Sequence, residues 1–195
     1  MNFQIEGRAI FFATNNIDKF NEARKVLAKY KIAAGMLRVK VSEIQSKSLE
    51  EIATASVKEA FKKCNLPVIV EDAGLFIDAL NGFPGPYAAY VHKTIGNKGI
   101  LKLMESVENR NAKFQSVIAY YSSKMGLPMC FKGEVVGRIT RKERKGNSGF
   151  GFDPIFEPLR KGRKTFAEMT VEEKNKHSHR AKALRKFAEW YLKKC

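Results

Sequence analysis

One stretch, residues 67–86, constrains the fold of this chain most strongly. After a proline it places the apolar run VIV at residues 68–70, which is typical of a short buried strand. Glu71 and Asp72 follow, and because successive strand residues face opposite sides of a sheet, only one of them can face a given cleft. An unpaired carboxylate is costly to bury, and ligands of open α/β sheets bind beyond the carboxyl ends of the strands. The pair therefore indicates either a ligand site at a strand end or a surface turn with two solvated acids.

The length and composition favour a single globular domain. A chain of 195 residues with 44% hydrophobic residues is large enough for a core, and we expect one domain, residues 1–195, built of two lobes. No apolar run approaches the roughly 20 residues that span a bilayer. The N-terminus lacks a basic leader and a small-residue cleavage site, so we expect a cytoplasmic protein without a membrane partner. The three cysteines are scattered and form no C-x-x-C pair, which argues against a disulfide framework or a zinc site.

Positive charge is the strongest compositional signal. Lysine and arginine number 36 against 20 acidic residues, which gives a formal net charge of +16. Such an excess is compatible with nucleic-acid binding, with the handling of small polyanions such as nucleotides, or with surface solubility alone. The charge is spread along the chain, and no repeated aromatic-basic pattern indicates a platform for single strands. We therefore expect no specific nucleic acid among its partners.

The apolar periodicity predicts an α/β fold with a long mixed β-sheet flanked by helices, in two lobes with a central cleft. Capping boxes support two of the helix starts, at Ser48 with Glu51 and at Thr170 with Glu173. The predicted strands are residues 8–13, 37–41, 68–70, 75–80, 112–122 and 129–140, and the predicted helices are residues 17–29, 49–63, 87–95, 98–107 and 171–192.

A candidate anion site lies where the first strand meets the first helix. Thr14 and Asn15 break the strand, and Asn16 is well placed as the N-cap of the helix. Free backbone N–H groups and the helix dipole at such an N-terminus favour a negatively charged ligand, and Lys19 adds a cation in the first turn. The segment does not match the G-x-x-x-x-G-K-[ST] P-loop. Taken alone, T-x-N-x-x-K is more commonly a capped helix that carries a surface lysine.

Two glycines alternate with two phenylalanines at residues 149–152, directly before an Asp-Pro pair. Glycine lets the backbone approach a flat ligand, and the rings of Phe150 and Phe152 offer stacking faces. A tight turn with core aromatics explains the same pattern, so the block alone does not decide between the two.

The predicted last helix carries a second group of polar side chains, Lys174, Ser178, His179 and Arg180. Lys174 and Ser178 share a face at i, i+4, with His179 and Arg180 to either side. Basic side chains this close together suit a phosphate or a purine edge, and a solvated helix face is the alternative.

These candidate groups complement one another chemically. Glu43 and the pair Glu71 and Asp72 offer hard oxygen ligands, which suit Mg²⁺ or Mn²⁺ rather than zinc. Phe150 and Phe152 are candidates to hold a base. A metal, a carboxylate base and a cationic cradle are the apparatus for attack of water on a phosphoryl group. The candidate phosphate donors are Thr14, Asn16, Lys19, Lys174 and Arg180.

Taken together, the motifs resemble the inosine triphosphate pyrophosphatase family, the non-canonical purine nucleoside triphosphate pyrophosphatases, in its archaeal type. The resemblance runs in order through FFATNNIDKFNEA, SEIQ, VEDAGLFIDALNGFPGPYAAYV, GFGFDPIF, KTFAEMTVEEKN and SHRAKALRKF. It implies the family's α/β fold, which is similar to that of anticodon-binding domains. It further implies hydrolysis of ITP, dITP and XTP to the monophosphate and pyrophosphate, with Mg²⁺ as cofactor, by a cytoplasmic homodimer.

The resemblance also implies roles for individual residues. The family's metal-binding glutamate matches Glu43, with Glu71 as a further candidate, and its catalytic aspartate, also near the metal, matches Asp72. Lys19 belongs to the phosphate loop and to the catalytic set. The substrate-binding positions that match are Thr14, Asn15, Asn16, Ile17, Asp18, Lys19, Ala73, Phe150, Gly151, Phe152, Asp153, Lys174, Ser178, His179 and Arg180.

Three positions depart from the family pattern, and one of them is His177, which stands where a small or apolar residue is usual. Ala73 stands where Ser or Thr is usual, which removes a hydroxyl contact, and Phe152 stands where Tyr or Trp is more common, which keeps stacking but loses a polar tip.

Two other functions remain open at this stage. A Maf-like nucleotide pyrophosphatase would prefer pyrimidine or modified substrates, and a basic nucleic-acid-binding protein without catalysis would bind DNA or RNA in a salt-sensitive way.

Overall fold

The computed structural model describes residues 8–42, 44–146, 148–159 and 163–194. In this part of the chain, seven strands form one mixed sheet: β1 Arg8–Ala13, β2 Ile32–Leu37, β3 Val68–Ile77, β4 Pro84–Gly85, β5 Asn111–Tyr121, β6 Met129–Ile139 and β7 Phe156–Pro158. The α-helices there are α1 Ile17–Ala28, α2 Leu49–Cys64, α3 Ala88–Thr94, α4 Gly96–Leu103, α5 Val171–His177 and α6 His179–Lys194. Among the same residues, no helix is both long and apolar enough to cross a membrane.

The sheet is open and combines parallel and antiparallel pairs. Its strand order is β2-β1-β3-β5-β6-β7, with β4 paired to β3 outside this path. β1 runs parallel to β2 and β3, whereas β5, β6 and β7 are joined by antiparallel pairing. The predicted α/β class with a long mixed sheet is confirmed.

Helices cover both faces of the sheet and bury its apolar side chains. On one face, α2 packs Val57 against Val70 and Val117 of the sheet. On the other, α1 and α6 share a core that contains Ile10 and Phe187. Buried apolar residues beneath α3 and α4 form a further cluster at the far ends of β3, β5 and β6: Leu75, Ile100, Phe114, Phe156 and Phe166 are among its members. A cleft opens between this cluster and the end of the sheet where β1 leads into α1.

The strand around the acidic pair differs from the prediction. Residues 68–70 and 75–80 were expected as separate strands, but β3 runs unbroken from Val68 to Ile77, so Glu71 and Asp72 lie inside it. The reason is non-local, because β5 pairs with every residue of β3 from Val68↔Tyr121 to Ile77↔Ala112. β1 pairs with β3 only at residues 68 and 69, so the two acids still lie just past the carboxyl end of the parallel part.

The second strand and the last helix were also placed wrongly. β2 is Ile32–Leu37 rather than residues 37–41, because parallel pairing with β1 selects Ile32 to Leu37 as partners of Arg8 to Ala13. The predicted helix at residues 171–192 is two helices. Ser178 between them has an extended backbone (φ −64°, ψ 154°), and its Oγ accepts a hydrogen bond from the Ala181 N–H at 3.2 Å, as an N-cap of α6 does.

Candidate active site

The turn from β1 into α1 is held by hydrogen bonds between its own side chains and backbone. Thr14 Oγ1 accepts from the Asn16 N–H at 3.1 Å, and Asn16 Oδ1 accepts from the N–H groups of Asp18 (2.9 Å) and Lys19 (3.1 Å). These bonds fix the loop from Thr14 to Lys19, including Asn15 and Ile17, along one wall of a cavity of about 590 Å³. We call this the first cavity.

Glu71 and Asp72 face different surroundings, as their alternation on a strand requires. The Glu71 side chain is fully buried, and its Oε1 accepts from Ser116 Oγ at 2.7 Å and from Arg180 Nε at 2.9 Å. Its Oε2 lies 3.1 Å from Lys19 Nζ. Asp72 lines the first cavity and is only partly buried. Both oxygens of Glu71 are thus held by cations or a hydroxyl within the structure.

The charge of Glu71 follows from this environment. Burial alone would raise the pKa of its carboxyl, but the nearby charges of Arg180 and Lys19 outweigh burial and hold the pKa well below its usual range. Burial alone would likewise lower the pKa of the Arg180 guanidinium, but Glu71 and Glu22 raise it. Both groups therefore stay ionised at neutral pH.

A buried ion network extends from Glu71 and Arg180 to residues 149–152, which we call the aromatic block. Arg180 also pairs with Glu22 of α1, whose Oε1 lies 2.7 Å from Lys174 Nζ. Lys174 reaches Asp153 Oδ2 at 2.6 Å, and the same oxygen accepts from the Phe150 N–H at 2.8 Å. The network thus connects Lys19, at the start of α1, to the backbone of Phe150 through alternating charges.

Glu22 was not singled out in the sequence analysis. It is 3% exposed and lies on the apolar face of α1 beside Ala23, Val26 and Leu27. A carboxylate on an otherwise buried helix face is a signal that could have marked it, because such a group needs a charged partner. Burial would raise its pKa, but Arg180 and Lys174 hold the pKa below its usual value.

The two phenylalanines of the aromatic block have different environments. Phe150 is partly buried, with Lys174 Nζ 4.7 Å and the Arg180 guanidinium carbon 5.3 Å from its ring centroid. Phe152 is 3% exposed, meets His92 edge-on at 5.1 Å and belongs to the core cluster under α3. Gly151 between them has a φ of +61°, a backbone conformation that favours glycine. Phe150 is therefore the more accessible stacking face.

The residues at the start of α6 lie deep in the structure. His179 stacks on Phe114 with ring centroids 4.7 Å apart and planes inclined by 11°. Burial first, and then the positive charge of Arg180, hold the pKa of the His179 imidazole well below its usual value, so the ring is neutral. The Ser178 hydroxyl is buried and caps α6, and Ser178 is not among the residues that line the cavities.

A second cavity of about 290 Å³ adjoins the first. It brings Ala73 together with Phe150, Gly151, Phe152, Asp153, Lys174, His179 and Arg180. Four residues line both cavities: Asn16, Lys19, Ala89 and Lys93. The last two lie on α3, which the sequence analysis did not connect with the site, since no local pattern marks them. The predicted metal ligand Glu43 lies outside the described residues.

The arrangement can hold an elongated anion with a flat ring at one end. The first cavity offers a helix N-terminus, a lysine and the carboxylate of Asp72, and the second offers an aromatic face flanked by cations. The fold and the site together define an open α/β protein with a composite cleft for a phosphorylated ring compound.

Sequence comparison identifies the family within this class. The Ham1 family model matches residues 10–190, and the chain belongs to the Ham1 family. It is 54% identical over 182 residues to the dITP/XTP pyrophosphatase of Methanopyrus kandleri, covering 93% of this chain and 95% of the relative. It is 49% identical over 179 residues to the dITP/XTP pyrophosphatase of Thermococcus kodakarensis, covering 92% and 95%. The resemblance inferred from the motifs is confirmed.

Solved structures of Ham1 proteins share the fold. The Staphylococcus aureus Ham1 protein superposes with a TM-score of 0.81 at 30% identity, over 96% of this chain and 100% of that chain. A HAM1 protein from Coxiella burnetii gives a TM-score of 0.82 at 29% identity, over 95% and 99%. The similarity therefore covers both ends of the sheet and the cleft between them.

Proposed function

We propose that this protein hydrolyses non-canonical purine nucleoside triphosphates, ITP, dITP and XTP, to the monophosphate and pyrophosphate, and so cleans the nucleotide pool. One observation carries the proposal: the phosphate loop with Asp72 and the aromatic block with Lys174 line two adjoining cavities. The dITP/XTP pyrophosphatases of the two archaeal relatives support it. Membership of the Ham1 family argues against a Maf-like enzyme or a nucleic-acid-binding protein without catalysis.

In the proposed reaction, water adds across the bond between the α- and β-phosphates. The oxygen of water joins one phosphorus, pyrophosphate and the monophosphate separate, and the proton passes to a base. Asp72 is the base that we propose, because it lines the first cavity together with the loop from Thr14 to Lys19, whereas both oxygens of Glu71 are held by Arg180, Ser116 and Lys19. Lys19 and the N–H groups of the loop would orient the phosphates.

Mg²⁺ is the proposed cofactor, with Mn²⁺ as an alternative. In the described residues, no group of three or more His, Cys, Asp or Glu side chains gathers as a metal site. Mg²⁺ does not need one, because it commonly binds one or two carboxylates together with water and substrate phosphates. Asp72 fits as a hard oxygen ligand, and Glu43 is the second proposed ligand. When bound, the ion would supply charge neutralisation at the phosphates.

Base selectivity would come from the second cavity. Lys174 and Arg180 are permanent donors beside the Phe150 ring, and they can donate to a 6-oxo group but not to a 6-amino group. An adenine base would leave its own donors facing cations, whereas hypoxanthine and xanthine present acceptors. We therefore propose discrimination against ATP through unpaired donors rather than through size. Guanine shares the 6-oxo group, so we propose that its 2-amino group, a donor that would face the same cations, is what disfavours GTP.

We also propose that the protein works in the cytoplasm as a homodimer. Large aromatic side chains are exposed around the start of α3: Phe83 is 40%, Tyr87 43% and Tyr90 70% exposed. Aromatic residues are enriched at protein interfaces, which supports a second copy of the chain as the partner. Sedimentation equilibrium tests this, since a homodimer has twice the mass of the chain.

The experiment that tests the function is a substrate panel with chromatographic product analysis. ITP, dITP, XTP, ATP and GTP are incubated with the wild type and with Asp72→Asn, with and without Mg²⁺. We expect monophosphate plus pyrophosphate from the first three, little product from ATP and GTP, and loss of turnover in Asp72→Asn with the fold retained. Formation of a diphosphate plus phosphate would contradict the proposed attack site, and near-normal turnover in Asp72→Asn would contradict its role.

A further inference from the structure

The cations of the cleft differ in whether they are already neutralised. Within the described residues, the lysine and arginine side chains that line the two cavities are Lys19, Lys93, Lys174 and Arg180. Three of them form ion pairs with buried carboxylates, which are Glu22, Glu71 and Asp153. Lys93 is exposed, and no described residue forms a hydrogen bond or an ion pair with its side chain.

This difference matters for a polyanionic ligand. To contact a phosphate, a cation of the buried network must share or leave its carboxylate partner, and breaking a buried ion pair leaves an uncompensated charge. Glu22, Glu71 and Asp153 already match the three paired cations in number, and Asp72 adds a further carboxylate to the wall. The network therefore brings no surplus positive charge to the cleft. Lys93 can give its full charge and its donors to a phosphate without first losing a partner.

The position of Lys93 specifies which part of a ligand it would meet. It lies on α3 and lines both cavities, as Lys19 of α1 does. Ala88 and Ala89, one turn earlier on the same helix, have small side chains that leave the space beside it open. A nucleotide whose base occupies the second cavity and whose phosphates occupy the first would pass Lys93 where the two cavities meet.

We propose that Lys93 is a phosphate-binding residue of this site, which binds the polyphosphate close to the bond that is cleaved. The part of the nucleotide that Lys93 would contact rests on the proposed function, whereas the binding of a polyphosphate by Lys93 does not. A charge-assisted hydrogen bond from an ammonium group is stronger than a neutral one, so its loss should be visible in binding.

The test is calorimetric titration of the full-length protein with inorganic tripolyphosphate. We expect Lys93→Gln to weaken binding by about tenfold or more, and Lys93→Arg to retain most of the affinity. The matched control is Lys98→Gln, because Lys98 is an exposed lysine on the neighbouring helix α4 that lines neither cavity. Thermal unfolding should be the same for all the variants, since the substituted side chains are exposed. Equal affinity of Lys93→Gln and wild type would overturn the proposal.

Kinetics with dITP separate this inference from the proposed function. We expect Lys93→Gln to raise KM by about tenfold, because the ammonium contributes to binding of the phosphates. An unchanged KM and kcat in an active enzyme would overturn the role of Lys93 but leave the function standing. A wild type that binds tripolyphosphate through Lys93 but hydrolyses none of the nucleotides would overturn the function and support Lys93 as an anion site.

Discussion

At the scale of single residues, the charges around each buried group of the cleft decide whether that group is ionised. Glu71 and Arg180 are both inaccessible yet ionised, because each is the main partner of the other. His179 sits beside them, stacks on Phe114 and stays neutral, since burial and the charge of Arg180 both oppose its protonation. Stability should therefore depend on pH in a way that can be traced to this one imidazole.

We predict that the free energy of unfolding falls as the pH is lowered through about 6.5, the usual pKa of histidine. In the unfolded chain His179 takes up a proton near that pH, whereas in the folded protein its pKa is well below it. The unfolded state then binds more protons, so acid favours unfolding, by at most about 1.4 kcal/mol per pH unit from this group. Urea unfolding between about pH 7.5 and about pH 5.5 measures the slope.

The His179→Gln variant isolates the contribution of the imidazole. Asp153 acts in the opposite direction, because burial raises its pKa and the folded state then holds more protons in the acidic range. The lowered pKa values of Glu22 and Glu71 affect stability only at more acidic pH. All three groups are shared by the wild type and the variant, so the variant should show a flatter slope. An identical slope in both proteins would contradict the prediction.

At the scale of secondary-structure elements, the packing of α6 on β6 positions the site. Gly133 of β6 lies under the first turns of α6, and a Cβ at this position would lie 2.5 Å from the Ala183 nitrogen and would also overlap the carbonyl oxygen of His179. Those contacts are with backbone, so a side chain at Gly133 must push the helix off the sheet. His179 and Arg180 are the first two residues of that helix and would move with it.

We predict that Gly133→Ala destabilises the protein by about 1–3 kcal/mol, the usual cost of overpacking a well-packed core. It should also raise KM for dITP, because the displaced helix start carries Arg180. The matched control is Gly126→Ala in the β5–β6 turn, where a Cβ meets no atom within 4 Å. Urea unfolding and steady-state kinetics of both variants check the prediction. Equal free energies of unfolding for Gly133→Ala and Gly126→Ala would contradict the close packing of α6 on β6.

The secondary-structure elements also show which parts of the fold can be predicted from the sequence alone. β1, α1 and α2 were predicted to within a residue or so, because caps at Asn16 and Ser48 and apolar periodicity are local signals. β2 was misplaced because its partner β1 selects the paired residues, and of the local alternation at residues 37–41 only Leu37 has a partner strand in the described residues. The break at Ser178 was hidden by helix-forming neighbours on both sides.

The candidate site was predictable in its parts but not in its connections. Motif residues such as Asn16, Asp72 and Phe150 lie around the two cavities, since each motif is a contiguous stretch with its own backbone geometry. Glu22 was missed because its role depends on ion pairs with Lys174 and Arg180, which lie far away in the sequence. Lys93 was missed because only the fold brings α3 to the cleft, and neither feature leaves a mark on local spacing. Pairing across elements is what converts separate motifs into one cleft.

At the scale of the whole molecule, the surplus of positive charge is the dominant feature. The formal net charge is +16, and part of the basic surface is already paired, as where Arg138 and Arg144 share Glu157. The remaining cations repel one another across the surface, which destabilises the compact state. Exposed ion pairs such as Lys25–Glu172 offset little of this, because such pairs are worth roughly 0–1 kcal/mol each.

We therefore predict that potassium chloride stabilises the protein and lowers its affinity for polyphosphates. Raising the salt from about 0.05 M to about 0.5 M shortens the screening length to a few ångströms, which should raise the free energy of unfolding by on the order of 1 kcal/mol. The buried network is screened much less, so Glu71 and Arg180 remain paired. Over the same range, tripolyphosphate affinity should fall, because the attraction between ligand and protein is screened as well. Urea unfolding and calorimetry at matched salt concentrations measure both effects. Chloride is used because sulfate would also strengthen apolar burial. A stability that falls with salt would mean that the ion pairs outweigh the repulsion.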